Sequence, residues 1–173
     1  MAASKSVTLT AADQAPGPLA DVHAYWDELR GEAWAPKWSD FHLYELPPQI
    51  LPWSIVVDVD STTMDFRYRF WGTERARLIG QELTGKRVSD IANEYMRDAN
   101  MAQYVETLEL KVPMLFETPA VKESEIPIVV TSIRLPLSED GESVSNIFSA
   151  VNHEEISAGH YAGFGTEIPS GGL

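Results

Sequence analysis

The stretch Ser54-Ile55-Val56-Val57-Asp58-Val59, the polar turn Asp60-Ser61-Thr62-Thr63 and the stretch Asp65-Phe66-Arg67-Tyr68-Arg69-Phe70-Trp71 decide the fold. The first limb is rich in β-branched residues and alternates, with Ile55, Val57 and Val59 on one side and Val56 and Asp58 on the other. The second limb alternates again, setting Phe66, Tyr68 and Phe70 against Arg67, Arg69 and Trp71. Two strands joined by so short a link read as an antiparallel hairpin. Gly72 ends it, Thr73 is a fair helix N-cap, and Ala76, Leu78 and Ile79 give a short helix closed by Gly80.

Downstream, a brief helical piece is expected at Val88 to Ala92. A longer helix follows over Glu94 to Leu110, with Met101, Val105 and Leu108 on one face and Ala99, Ala102 and Tyr104 beside them. Pro113 stops it. Three more strands are expected near Met114 to Val121, Ile128 to Leu137 and Val144 to Val151, the last pair joined by the turn Ser138-Glu139-Asp140-Gly141-Glu142. Upstream, Leu19, Val22, Trp26 and Leu29 recur at helical spacing, and Gly31 provides a stop. Pro36, Pro47, Pro48 and Pro52 leave room only for a short turn around Asp40 to Leu46. Residues 1–17 are expected to be a disordered tail and residues 154–173 a flexible one, so that 18–153 form one domain. Helices grouped between two antiparallel sets of strands predict an α+β fold, with helices covering one face of a five-stranded antiparallel sheet and an N-terminal helix.

The chain has 173 residues, 44% of them hydrophobic, which suits a single globular domain. It contains no cysteine, so disulfides, thiolate metal sites, thiol nucleophiles and cysteine–flavin adducts are excluded. A formal net charge of -13 repels phosphate backbones and anionic lipid, which argues against nucleic acid and membrane partners. No run approaches the roughly 18 apolar residues that cross a bilayer, and the start of the chain lacks the apolar stretch of a secretory signal. The expected compartment is the cytoplasm. Against this acidic background Arg67, Arg69, Arg75, Arg77, Lys86 and Arg87 cluster around the hairpin.

A set of short pieces recurs in order: Tyr25-Trp26 with Leu29-Arg30, Leu51-Pro52, Val57-Asp58-Val59, Phe66 with Arg69 and Gly72-Thr73, Gly80 with Leu83-Thr84-Gly85, and later Leu135-Pro136-Leu137 before its turn. Over roughly Asp21 to Val151 the chain resembles a bacterial, stand-alone PAS-type family. The resemblance implies a five-stranded sheet that can enclose a small pocket used in sensing and dimerisation. It implies a homodimer through Leu19, Val22, Trp26 and Leu29, the alternative being that these residues pack on their own sheet. Because the chain has room for no output domain, the resemblance further implies a downstream signalling protein as partner.

The aromatic strand face suggests a ligand-binding wall of Phe66, Tyr68 and Phe70 with Met101, Tyr104 and Phe148, although such a face also reads as core. Arg67, Arg69, Arg75 and Arg77 could rim an anion site, or simply pair with the surplus of surface carboxylates. Arg69, beside Gly72-Thr73, is the candidate ligand contact among them. The stretch from Asp58 to Asp65 has the look of a calcium loop, but Thr63 stands where glycine is needed and Arg69 where the bidentate Glu should be. Asp58 and Asp60 read as solvated turn residues. His23, His42, His153 and His160 show no metal spacing, and a haem held by one histidine would leave no signature, so the cofactor is unknown. No catalytic set is recognisable. The expected function is a sensory or regulatory module that binds a small molecule or a protein and signals in trans. The alternatives are a dimerisation scaffold without ligand, and a small enzyme with a carboxylate or imidazole base in a cavity.

Overall fold

The computed structural model describes residues 5–8, 15–121 and 127–157. The hairpin forms where the alternation places it, as antiparallel strands β2 (Ser54–Asp60) and β3 (Asp65–Trp71). Between them the Asp60 carboxylate accepts hydrogen bonds from the amides of Thr62 and Thr63 at 3.1 and 3.3 Å, which fixes the turn. The alternation does not run through the whole of β3. Val57 faces Tyr68 but Val56 faces Phe70, so Arg69 is the extra residue of a β-bulge. Beyond a bulge each side chain changes face. Phe66 and Tyr68 are buried with Val57, while Phe70 packs on the opposite side beside Val56 and Phe148, so the expected three-aromatic face is broken at Phe70.

The later strands are β4 (Met114–Val121), β5 (Pro127–Leu137) and β6 (Asn146–Val151). With β1 (Lys5–Thr8) they give an antiparallel sheet in the order β1-β4-β5-β6-β2-β3. Among the described residues the sheet therefore has six strands, not the expected five. The sixth lies within the segment expected to be a tail. Its four residues are all exposed, so no burial pattern marks it, and backbone pairing with Met114–Glu117 makes it a strand. At the other end the short helix α4 (His153–Ser157) occupies the start of the second expected tail. Glu155 ties it to the sheet by accepting hydrogen bonds from the Thr131 amide and hydroxyl at 2.7 and 2.9 Å. The rest of that tail, residues 158–173, lies outside the described residues.

Helices cover both faces. Helix α1 (Pro18–Arg30) buries Leu19, Val22 and Trp26 against a cluster that includes Leu135, Leu137 and Phe148. Trp26 Nε1 also donates to the Pro136 carbonyl at 2.8 Å. The stripe expected to pair with a second copy is thus occupied within the chain, with only Leu29 left partly exposed. On the other face lie α2 (Thr73–Ile79) and α3 (Glu94–Leu110), the latter capped by the Asn93 side chain on the Met96 amide at 2.9 Å. The buried side of α3 is Met96, Gln103, Tyr104 and Thr107, and the expected stripe of Met101, Val105 and Leu108 is only partly buried. Hydropathy missed this face because two of its residues are polar and bonded inside the fold.

Two glycines of the PAS-like pieces have mechanical roles. A Cβ on Gly72 would overlap the carbonyl of Pro52, so the Leu51-Pro52 turn and the end of β3 can meet only without a side chain there. Gly85, at φ +82°, turns the chain back so that its amide donates to the Tyr68 carbonyl at 2.7 Å, and the Tyr68 amide donates to the Lys86 carbonyl at 2.9 Å. The outer edge of β3 is covered by this loop.

Candidate functional site: a buried arginine cavity

Along β5, Ile133, Leu135 and Leu137 point toward α1, which leaves Ser132 and Arg134 to face α3. Arg134 is only 4% exposed. Its Nε and Nη2 donate to Gln103 Oε1 at 3.1 and 2.7 Å, Nη2 also to Asn100 Oδ1 at 2.8 Å, and Nη1 to the Ser149 hydroxyl at 2.8 Å. The guanidinium carbon lies 3.9 Å from the centre of the Tyr104 ring, a cation–π contact in a desolvated setting. Among the described residues no carboxylate is within ion-pair distance of Arg134. One side chain therefore joins α3 to β5 and β6 through neutral oxygens.

Beside it is a cavity of about 40 Å³ between α2, α3 and the sheet. Arg75, from α2, is a second cation on its wall, likewise 4% exposed and 5.6 Å from the Trp71 ring centre. Asn100, Gln103, Thr118 and Ser149 supply neutral polar groups, and Trp53, Ile55, Met96, Val130 and Val151 an apolar wall. Among the described residues no Asp, Glu or His lines the cavity.

None of the seven residues proposed from sequence lines it. Four of them lie together in the same core layer: Phe66, Tyr68 and Tyr104 are buried and Met101 packs against them. Phe66 and Tyr104 have ring centres 5.0 Å apart, and the Tyr104 ring carries the Arg134 guanidinium. The Tyr68 and Tyr104 hydroxyls are buried, and among the described residues neither has a hydrogen-bond partner. Burial pushes the Tyr68 hydroxyl well above its ordinary pKa, so it stays protonated. The other three are elsewhere. Phe70 and Phe148 lie on the α1 face, and Arg69 is exposed, bonded through Nε to Asp58 at 2.6 Å.

The remaining arginines divide in the same way. Arg67 donates to the Gly85 carbonyl at 2.9 Å, Arg77 pairs with Glu74, and Arg87 pairs with Asp60 at 3.0 Å and Asp65 at 3.5 Å. These are surface or rim pairings, and of the four arginines considered as an anion rim only Arg75 reaches the cavity. For Asp65, burial acts to raise the pKa, but hydrogen bonds from Ser89 and the Phe66 amide, with Arg87 nearby, hold it below its ordinary value. Asp58 accepts from Arg69 and from Asn146, so the aspartates of the hairpin serve the turn and its neighbours. His23 stacks on Trp26 and His153 on Trp53, and His160 lies outside the described residues. Among the described residues no three His, Asp or Glu side chains group to hold a metal. Sequence reasoning passed over Arg134, Asn100, Gln103 and Ser149. The available signal was a charged residue, Arg134, between Ile133 and Leu135 in a strand that otherwise carries no charge.

A family model described as a PAS domain matches residues 15–152. The chain belongs to the PAS domain family. Strands β2 to β6, helices α2 and α3 and the cavity lie within the matched region, and β1 lies outside it. Among solved structures, the PAS domain is similar to an RNA-binding Light-Oxygen-Voltage receptor at 10% identity and a TM-score of 0.47, over 90% of this chain and 40% of that one. The chain thus corresponds to less than half of that receptor's length, and RNA binding is stated of that receptor. No curated protein matches. Among the described residues no helix is long and apolar enough to cross a membrane.

Proposed function

We propose that this PAS domain is a sensory or regulatory module that takes a small molecule into the cavity between α3 and the sheet and passes the event to a partner protein. The observation that carries the reading is Arg134, a buried cation held by side chains from α3 and β6 on the wall of a cavity. A ligand that bonded Arg134 would compete with Asn100 and Gln103 and so change the seating of α3. To act as a signal it must favour one seating over the other, since equal affinity for both shifts nothing. The Trp53 and Val151 part of the wall adjoins α4, which Trp53 contacts through His153 at 6.3 Å between ring centres, giving a route to the end of the domain. A cytoplasmic, bacterial setting accords with the lack of cysteine and with the family resemblance.

The enzyme alternative asked for a carboxylate or imidazole in the cavity, and among the described residues the wall offers neither. The scaffold alternative asks for pairing through α1, whose Leu19, Val22 and Trp26 are occupied by the chain's own sheet. Pairing of two copies would use another surface. Native mass spectrometry of the purified protein tests the ligand reading. A retained small molecule, released on denaturation, is the expected result; a bare polypeptide whose crystal structure shows a closed interior would remove the ligand and leave protein–protein signalling.

A further inference from the structure

Strand β1 lies on β4 as a cover rather than as part of the core. Its four residues are all exposed, and the PAS match begins at residue 15, after it. In register, Lys5 faces Glu117, Ser6 faces Phe116, Val7 faces Leu115 and Thr8 faces Met114. Among the described residues, two side-chain contacts add to this backbone ladder. Lys5 pairs with Glu117 at 3.6 Å, the two side chains being 71% and 45% exposed, and the Ser6 hydroxyl donates to Glu106 of α3 at 2.7 Å. Exposed pairs of this kind contribute little. An edge strand with no buried side chain opens at low cost. The strand beneath it is anchored differently: Met114 and Phe116 are buried, and β4 pairs with β5 from Met114 to Val121. When β1 leaves, β4 therefore stays and presents a row of unpaired N–H and C=O groups.

The side chains beside that edge decide what it selects. Successive residues of a strand face opposite ways, so a segment laid on β4 meets Glu117 and Leu115 on one face and Glu106 on the other. Two carboxylates and a leucine so placed suit a cation, then a hydroxyl, then an aliphatic residue, which is the order of Lys5, Ser6 and Val7. The net charge of -13 draws basic segments and repels a second copy of the chain. We propose that the β4 edge docks an extended basic segment of a partner protein by strand addition, and that β1 occupies the edge until the partner displaces it. Main-chain bonds supply the affinity and the two carboxylates the selectivity. Glu106 lies on α3, the helix that Arg134 holds through Gln103, so a shift of α3 would loosen the cover. That last link rests on the cavity reading; the docking edge does not.

The chain has no cysteine, so Val7→Cys with Leu115→Cys, opposite each other in the ladder, gives a clamp that closes on oxidation and opens on reduction. The probe is a labelled synthetic peptide copying residues 3–10, titrated with the full 173-residue chain by fluorescence anisotropy. The parent and the reduced double variant are expected to bind it saturably, and the oxidised form to lose binding. Amides of neighbouring strand residues point to opposite edges, so one of Ser6→Pro and Val7→Pro removes a donor to β4 and should raise the affinity for the peptide. The same peptide with glutamate in place of Lys5 should bind up to ~5-fold more weakly at low salt, the gap closing as salt rises. If the clamp does not form, slowed hydrogen exchange at the Met114–Glu117 amides on adding peptide locates the site, and unchanged exchange there overturns it. Equal binding by clamped and open forms, or binding by neither, would overturn the proposal, and equal binding of the two peptides would refute the basic class. Proline variants that dimerise without peptide in light scattering would give the edge to a second copy and overturn the partner. Every arm is read without a small molecule, so failure here leaves the cavity reading as it stands.

Discussion

A single titratable side chain can couple the whole domain to pH, and His23 is placed to do so. It sits on α1, 3% exposed, against the Trp26 ring, and among the described residues its Nδ1 has no hydrogen-bond partner. Burial lowers its pKa below 6.5; Asp27 acts in the opposite direction and Arg30 in the same one. In the window between the folded and unfolded values the unfolded chain holds more protons, so the contribution of His23 is complete above about pH 6.5 and is lost as pH falls through the folded value. Asp65 has a depressed carboxylate pKa, and its contribution is lost only below its unfolded value of 3.8. The two windows are separate. Urea midpoints measured at about pH 7.5 and about pH 5.5 should therefore differ in the parent and differ less in His23→Phe. An unchanged slope in the variant would assign the pH dependence to another group.

Among elements, the junction of β3 and α2 has the least tolerance. A methyl at position 72 meets the Pro52 backbone, which cannot move aside as a side chain would. Gly72→Ala should cost at least ~1–3 kcal/mol in denaturant titration, whereas Ala at an exposed residue such as Thr84 should cost little. Helix α1 gives a second case. Truncating Trp26, 2% exposed and bonded to Pro136, should destabilise by ~3–5 kcal/mol. Light scattering of Trp26→Ala beside the parent should show no change in assembly state, because that face is turned inward. Much at this scale was legible from sequence. The ends of β3, α3 and β4 fall where alternation, the helical pattern and Pro113 put them. The bulge at Arg69 was not legible, because it arises from pairing with β2, and neither was β1, whose exposed residues carry no pattern. The polar face of α3 escaped for a related reason: Gln103 reads as surface until its partner Arg134, 31 residues away, is known.

For the molecule as a whole, the PAS fold follows from element order and from pieces such as Gly72-Thr73 and Leu83-Thr84-Gly85 that prove to be contacts. The cavity did not follow, since its wall gathers side chains from α2, α3 and four strands, and no local spacing announces such a gathering. The strand order has a further effect, on synthesis. Strand β2 lies between β3 and β6, and its Val56 and Val57, fully buried in the finished sheet, face Phe148 and Ile147 near the end of the domain. When the hairpin leaves the ribosome its inner edge has no neighbour until about eighty more residues have been translated, roughly 4–16 s at ordinary elongation rates. For that interval the nascent chain presents a valine-rich strand open along one side, and its yield in cells will depend on how well that side is shielded until β6 arrives.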